Sequence, residues 1–226
     1  IFDPAARDRA EEERIQAWVA RIKAALRDDG FLLHYQPIIS LQGEPGETYE
    51  AFLRMRVGNG EIAPPLSFLP IAEEYGLLDE IDRWVVGRAI DVLAERGKAG
   101  RDTTLFVKVT ASTLGESRLA DFIGERLKAT GVPGERLVLE MAESKVFTNL
   151  KVAQDFLSAV SAFGCRIALE QFGSGLNSFQ LLTHFDPAIL KIDRSFMGEL
   201  GKNPENQKRV KEIADRAREI GKLSVA

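Results

Sequence analysis

The first part of the chain carries apolar residues at helical spacing. The pattern predicts a helix over residues 5–27 that follows Asp3-Pro4. The apolar positions on its inner side are Ile15, Trp18, Val19, Ile22 and Leu26. We expect residues 1–28 to form a linker helix that leads into a domain over residues 29–226.

After Gly30 the pattern changes to short β-rich runs separated by helical stretches. The candidate strands are residues 31–39, 49–56, 105–110, 137–143, 166–172, 189–193 and 222–226. The candidate helices are residues 67–77, 80–96, 117–130, 150–163 and 204–220, with a short one near 176–184. A helix follows each strand from the third onward, which favours parallel pairing in a barrel or a doubly wound sheet. Residues 41–48 are too few for a crossover helix, so the first two strands are predicted to be antiparallel.

Charged residues inside the predicted strands are the most informative feature. They are Glu50, Lys108, Glu140, Glu170 and Lys191, each on a different strand. An isolated buried charge costs several kcal/mol unless it is paired, so we expect these five to meet at a common centre. In a βα barrel the strand ends converge on one mouth, where ligand sites lie. The alternative interpretation is that the five are unrelated residues at strand rims.

Composition narrows the classes of function. The chain has 226 residues, of which 45% are hydrophobic and 28% charged, and its net charge is -4. These values suit one large globular domain or two small ones and exclude a strongly basic binder of nucleic-acid polymers, although a small anionic ligand is compatible. No apolar run approaches the roughly 18 residues of a membrane span. Cys165 is predicted to be a buried structural thiol. We expect a soluble, cytoplasmic protein.

Two other features do not predict a site. Gly173-Ser-Gly175 lacks the spacing of a phosphate-binding loop and is better explained as a tight turn. His34 and His184 are far apart and have no spaced metal-ligating companions, so a histidine metal site is not expected.

Six sequence blocks occur in order along the chain, at residues 35–38, 50–54, 62–77, 137–144, 166–179 and 190–196. The first two read Tyr35-Gln-Pro-Ile38 and Glu50-Ala-Phe-Leu-Arg54. Together the blocks resemble the EAL domains, bacterial modules that bind or hydrolyse cyclic di-GMP. The resemblance implies an α/β fold, a modified TIM-type (β/α)8 barrel with an antiparallel first strand. Residues 223–226 match the strand before the family's final segments, which implies that the barrel is truncated at its C-terminal end and that its last strand and helix lie outside this chain.

Departures from the family pattern fall on the catalytic positions. The resemblance implies that active members hold metal ions with carboxylates and an Asn to activate water. Glu50 and Glu140 match metal-binding positions, but Lys108 stands at the Asn position. A protonated lysine cannot ligate a metal and carries the charge of a cation itself. We therefore predict that Lys108 pairs with Glu140, Glu50 or Glu170, that no metal cofactor binds, and that the domain is not an active enzyme.

The other altered position is the family's Asp-Asp pair, which is Glu170-Gln171 here. Gln171 lacks the negative charge, and the longer Glu170 changes a geometry that Mg²⁺ enforces tightly. Lys191 is retained at the catalytic lysine position. Without a metal-held water, we expect Lys191 to be a charge partner or a ligand contact.

Ligand-binding positions are better preserved. Arg54 could clamp a phosphate, and Phe52 could stack on guanine. Asp82 could accept hydrogen bonds from a guanine edge, or it could be an exposed helix residue. Glu143 could cap or tether the loop after its strand. By the resemblance, the cyclic di-GMP site comprises Gln36, Glu50, Phe52, Leu53, Arg54, Pro65 and Asp82.

Residues 106–110, Gln171-Phe-Gly and Leu176-Asn177 resemble the FimX-like branch of degenerate EAL domains. The resemblance to this branch implies that the chain is a cyclic di-GMP receptor that controls type IV pilus biogenesis and twitching motility. It also implies a PilZ-domain adaptor as a partner and an upstream GGDEF-like domain in the same polypeptide. The alternatives are a weak metal-dependent cyclic di-GMP phosphodiesterase, since Glu50, Glu140 and Lys191 persist, and a scaffold that has lost nucleotide binding.

Overall fold

The computed structural model describes residues 4–43, 45–58, 60–110, 114–115 and 118–226, with side chains from residue 8 onward. The strands are β1 (Phe31–Pro37), β2 (Glu47–Val57), β3 (Glu61–Ala63), β4 (Thr103–Lys108), β5 (Leu137–Ala142), β6 (Arg166–Phe172), β7 (Ile189–Ile192) and β8 (Leu223–Val225). The α-helices are α1 (Pro4–Arg27), α2 (Leu69–Glu74), α3 (Leu78–Lys98), α4 (Leu119–Thr130), α5 (Glu143–Thr148), α6 (Leu150–Ser161), α7 (Ser178–Leu181) and α8 (Pro204–Glu219). Three short 3-10 helices are Pro65–Ser67, Gly134–Arg136 and Arg194–Phe196.

All strands belong to one sheet in the order β1-β2-β4-β5-β6-β7-β8, with β3 paired to the end of β2. β1 is antiparallel to β2, and every later neighbour along this order is parallel. The predicted α/β architecture with an antiparallel first strand is confirmed. The hairpin strand β3 and the short helix α5 were not predicted.

The sheet curls into a barrel. Lys191 Nζ on β7 lies 2.8 Å from a carboxylate oxygen of Glu50 on β2, although β4, β5 and β6 separate the two strands in the sheet. In a flat sheet with a strand spacing of about 4.8 Å, four steps would hold the two backbones about 19 Å apart. The direct contact therefore requires that the sheet curves around an interior.

Successive residues on the parallel strands face opposite sides of the sheet. One side packs under the helices as the main core, which includes Val107, Leu139 and Leu169. The other side faces the barrel interior, whose floor is a separate apolar cluster of Phe106, Val138, Ala168 and Ile189. Lys108, Glu140, Glu170 and Lys191 each stand two residues beyond one of these floor residues, so they form the next layer towards the mouth.

The second half of α1 packs on the barrel, where Val19, Ile22 and Ala25 are buried. The chain then turns tightly into β1. A Cβ atom on Gly30 would lie only 2.8 Å from Ala25 Cα, so this turn requires glycine. Whether α1 continues a linker from an upstream domain stays a prediction.

Within the described parts of the chain, none of the helices combines the length and the apolar character needed to cross a lipid bilayer.

Candidate functional site

Five charged side chains meet inside the barrel, as the sequence predicted. Lys108 Nζ lies 2.5 Å from Glu170 Oε2 and 3.7 Å from Glu50 Oε1. Lys191 Nζ lies 2.8 Å from Glu50 Oε2 and 2.5 Å from Glu140 Oε1. Glu50 therefore bridges the two lysines. Two of the three partners considered for Lys108 are confirmed, whereas Glu140 pairs with Lys191 instead.

Burial differs strongly across the charged layer. The Lys108 side chain is 49% exposed, that of Lys191 is 15% exposed, and that of Glu140 is fully buried. Three carboxylates against two ammonium groups leave this layer with a formal charge of -1. The cluster therefore balances most of its own charge without an added ion.

Glu140 is the most constrained member of the cluster. Burial raises the pKa of its carboxyl group to about 7, partly opposed by Lys191. Its Oε2 atom is buried and has no hydrogen-bond partner among the described residues. Burial alone would lower the pKa of Lys191, but Glu140 and Glu50 together raise it above the ordinary value. Burial thus favours the protonated form of Glu140, while the two carboxylates favour the charged form of Lys191.

The same carboxylates could be considered as metal ligands. Glu50, Glu140 and Glu170 can each place one oxygen atom so that all three lie within 4.8 Å of one another. However, each of the three already contacts a lysine ammonium group. A divalent cation at their centre would stand beside two positive charges, at contact distances where like charges repel strongly in a poorly solvated site. The residues present therefore do not fit a divalent metal while both lysines are charged.

The pairing of β1 with β2 builds one wall of the site. Gln36 is opposite Glu50, His34 is opposite Phe52, and Leu32 is opposite Arg54. Directly opposed residues in an antiparallel pair share one face of the sheet. Because Glu50 reaches the charged layer, these residues lie on the interior face.

Arg54 is next to the aromatic ring of Phe52. Its guanidinium carbon lies 5.9 Å from the centre of that ring, within the range of a cation–π contact, and its Nη1 donates a hydrogen bond to the Leu53 carbonyl at 2.7 Å. The Leu53 side chain packs against the outer core. Leu53 is therefore not brought to the site by its side chain, because strand alternation turns it away from Phe52 and Arg54.

Asp82 on α3 is held at the mouth. Its carboxylate accepts hydrogen bonds from the backbone nitrogen of Thr110 at 2.8 Å and from the Thr110 hydroxyl group at 3.3 Å, just beyond the end of β4. Burial raises the pKa of Asp82 to about 7. The interpretation of Asp82 as an exposed helix residue is wrong, since the side chain is buried. Its contact with a guanine edge stays a prediction.

Pro65 begins a 3-10 helix shortly after β3. β3 pairs with the C-terminal end of β2, from Met55 to Val57. Pro65 therefore lies at the same end of the barrel as Arg54.

Glu143 holds the loop after β6 in place through hydrogen bonds. The buried Glu143 carboxylate accepts hydrogen bonds from the Gly173 nitrogen at 3.0 Å and from the Ser178 hydroxyl group at 2.6 Å. A Cβ atom on Gly175 would lie 2.4 Å from the same carboxylate, so this close approach requires glycine. Glu143 is therefore a tether, but it holds the loop after β6 and not the loop after its own strand.

Gln171 has a conformation that the sequence analysis missed. Its φ is +59°, in the left-handed region that residues with a side chain rarely adopt, and the register between β6 and β7 shifts around it. Glu170 faces the interior and contacts Lys108, whereas Gln171 is exposed. The two residues at the family's Asp-Asp position are thus not equivalent in space, and the signal for this irregularity was the glycine-rich turn that follows.

The sequence and the fold are similar to those of known proteins. Residues 19–226 match the family model described as the EAL domain. The FimX EAL domain of Xanthomonas citri, solved in complex with cyclic di-GMP, is 53% identical with a TM-score of 0.90, and the match covers 96% of this chain and 84% of that one. The FimX EAL domain of Pseudomonas aeruginosa, bound to cyclic di-GMP, is 37% identical with a TM-score of 0.86, covering 92% of this chain and 83% of that one.

Similar curated proteins include named enzymes. The cyclic di-GMP phosphodiesterase PdeF of Escherichia coli K12 is 31% identical over 210 residues, which are 93% of this chain and 28% of PdeF. The cyclic di-GMP phosphodiesterase PdeB of Shewanella oneidensis is 27% identical over 227 residues, covering 100% of this chain and 26% of PdeB. The chain thus spans about a quarter of the length of these relatives. On the family match and the likeness to the FimX domains, this chain belongs to the EAL domain family and resembles its FimX-like branch.

Proposed function

We propose that this chain is a non-catalytic receptor domain for cyclic di-GMP, which binds the nucleotide at the barrel mouth and transmits its occupancy to a protein partner. The observation that carries the proposal is the pairing of Lys108 and Lys191 with all three interior carboxylates. The ammonium groups supply the positive charge that a metal would otherwise bring. Without a metal to activate water, the bound nucleotide is held and not cleaved.

The wall built by β1 and β2 supports nucleotide binding. Gln36 and Glu50 offer hydrogen-bonding groups, Phe52 offers a ring for base stacking, and Arg54 offers a guanidinium for a phosphate oxygen. Two similar FimX domains were solved with cyclic di-GMP bound. The same ligand is the natural candidate for this mouth.

The biological setting is proposed from the resemblance to the FimX-like branch. We extend the proposal to the control of type IV pilus biogenesis and twitching motility in the bacterial cytoplasm. The partner would be a PilZ-domain adaptor protein, and a GGDEF-like domain would precede this one in the same polypeptide.

Calorimetry tests the receptor proposal. Purified protein is titrated with cyclic di-GMP in EDTA and, separately, in excess Mg²⁺. We expect the same affinity in both buffers and the intact nucleotide recovered afterwards. Binding that disappears in EDTA would overturn the metal-free receptor, and no binding in either buffer would overturn the receptor itself.

The second candidate is a weak metal-dependent phosphodiesterase. It is favoured by the convergence of Glu50, Glu140 and Glu170, whose oxygens could surround an ion if the lysines moved away. Incubation with Mn²⁺ and chromatography of the nucleotide separates the two functions. Turnover that the Glu50→Gln variant abolishes would support the enzyme, whereas we expect no product from either protein.

A further inference from the structure

His34 lies on the interior wall of the barrel, among the residues assigned to the nucleotide, although no motif singles it out. β1 and β2 pair over seven consecutive positions without a bulge, and His34 is opposite Phe52. On the same strand, the next residue on this face is Gln36, which is opposite Glu50. His34 therefore stands one step nearer the mouth than Gln36.

The opposite face of β1 confirms this orientation. Phe31 is buried in the main core and Leu33 packs against it, so the odd-numbered positions turn towards the helices. The paired positions on β2 behave in the same way, since Ala51 and Met55 are buried in that core. The alternation of a regular strand then directs the even-numbered His34 into the barrel.

The His34 side chain is exposed, and its imidazole makes no hydrogen bond to any described residue. An interior-facing polar ring that neither packs in the core nor bonds to a neighbour has its donor available to a ligand. Glu50 and Arg54 are its diagonal neighbours on β2, at about 7–8 Å between backbones in such a ladder. A ligand that contacts Gln36, Phe52 and Arg54 must therefore pass in front of His34.

We propose that His34 is a further ligand-binding residue, whose imidazole N–H group donates a hydrogen bond to a phosphodiester oxygen of cyclic di-GMP. A phosphodiester only accepts hydrogen bonds, and imidazole offers a donor in both of its protonation states. In this proposal the ring of Phe52, directly opposite, stacks on the base. His34 and Arg54 are then the donors that bond to the phosphate. This inference rests on the proposed function, because it names a contact within the same site.

Nuclear magnetic resonance of labelled histidine rings tests the contact directly. The chain contains two histidines, and His184 lies in the connection between α7 and β7, outside the wall built by β1 and β2. On addition of cyclic di-GMP we expect the His34 ring resonances to shift and those of His184 to stay in place. Unmoved His34 resonances in the saturated protein would overturn the inference.

Affinity and phosphorus resonances test the hydrogen bond. We expect His34→Leu to weaken binding about tenfold, His34→Gln, which keeps a donor, to stay within about threefold of wild type, and the control His184→Leu to be unchanged. The phosphorus resonances of the bound nucleotide should differ between wild type and His34→Leu. Equal losses in both His34 variants, or identical phosphorus resonances, would overturn the assignment to phosphate. Failure of the wild-type protein to bind would instead overturn the proposed function.

Discussion

The ammonium nitrogen of Lys108 lies 2.5 Å from a carboxylate oxygen of Glu170, which is 62 residues away along the chain. The contact spans β5, because Lys108 ends β4 and Glu170 is on β6. In the same layer, the more buried Lys191 makes a similar contact with Glu140 at 2.5 Å. The two lysines differ in burial, and this difference separates their expected contributions to stability.

We expect Lys191→Met to destabilise the fold by about 3 kcal/mol, because it leaves the fully buried Glu140 carboxylate next to Glu50 without its positively charged partner. Lys108→Met should cost about 1 kcal/mol or less, because half of the Lys108 side chain is exposed and solvent screens its pair. Urea unfolding of both variants checks the difference. Equal costs would contradict the burial gradient in the charged layer.

Arg54→Ala should weaken cyclic di-GMP binding at least about tenfold, because a guanidinium that bonds a phosphate contributes on that scale. The matched control is Arg101→Ala at the other end of the barrel, where Arg101 pairs with Glu47 at the start of β2. Calorimetry should show unchanged affinity for the control. Unchanged affinity for Arg54→Ala would mean that the phosphate site is elsewhere.

Stability should fall as the pH rises from about 4 to about 7. Burial raises the pKa of Asp82 from 3.8 to about 7, so in this window the folded protein holds a proton that the unfolded chain has released. The effect for one such group is on the order of 3 kcal/mol. Asp82→Asn keeps an acceptor for the Thr110 nitrogen and cannot titrate.

The measurement for Asp82 is urea unfolding at several pH values between 4 and 7. The Asp82→Asn variant should show a shallower decline than wild type, with the remaining slope arising from Glu140, whose pKa is also raised by burial. Identical slopes in the two proteins would show that Asp82 is ionised throughout this range.

Removing the tether should loosen the loop after β6. Glu143→Ala leaves the Gly173 nitrogen and the Ser178 hydroxyl group without their acceptor, at a cost of about 2 kcal/mol or more. Hydrogen exchange should accelerate over residues 173–178, while the exposed control Glu74→Ala leaves it unchanged. Slow exchange in the Glu143 variant would show that the loop is held by other contacts.

Gln171→Gly should stabilise the protein by about 0.5–1 kcal/mol, because glycine adopts a φ of +59° without the penalty that a side chain carries. The same substitution at Gln180, within α7, should destabilise it by a similar amount. Thermal unfolding compares the two. A destabilised Gln171→Gly variant would indicate that the side chain contributes contacts that outweigh the strain.

Much of the barrel was predictable because its parallel strands are largely apolar and its crossovers have room for helices. The meeting of Lys108 with Glu170 followed from the cost of burying unpaired charges. The choice between Glu140 and Glu170 as the partner did not, because the sequence does not give the positions at which side chains from different strands meet.

The other features that the sequence did not predict also have physical causes. The strand β3 has only three residues, Glu61–Ala63, and is stabilised by pairing with β2, so its own sequence shows no strand period. The burial of Asp82 depends on a backbone donor at Thr110, which belongs to a distant segment. The position of His34 could be inferred only once the register of β1 against β2 was fixed.

The apolar floor of Phe106, Val138, Ala168 and Ile189 lies below the charged layer. A molecule bound above the charged layer enters and leaves on the side away from this floor. The residence time of the bound molecule then depends on access to the mouth. A second protein docked over the mouth would slow dissociation without changing the contacts between the bound molecule and the barrel.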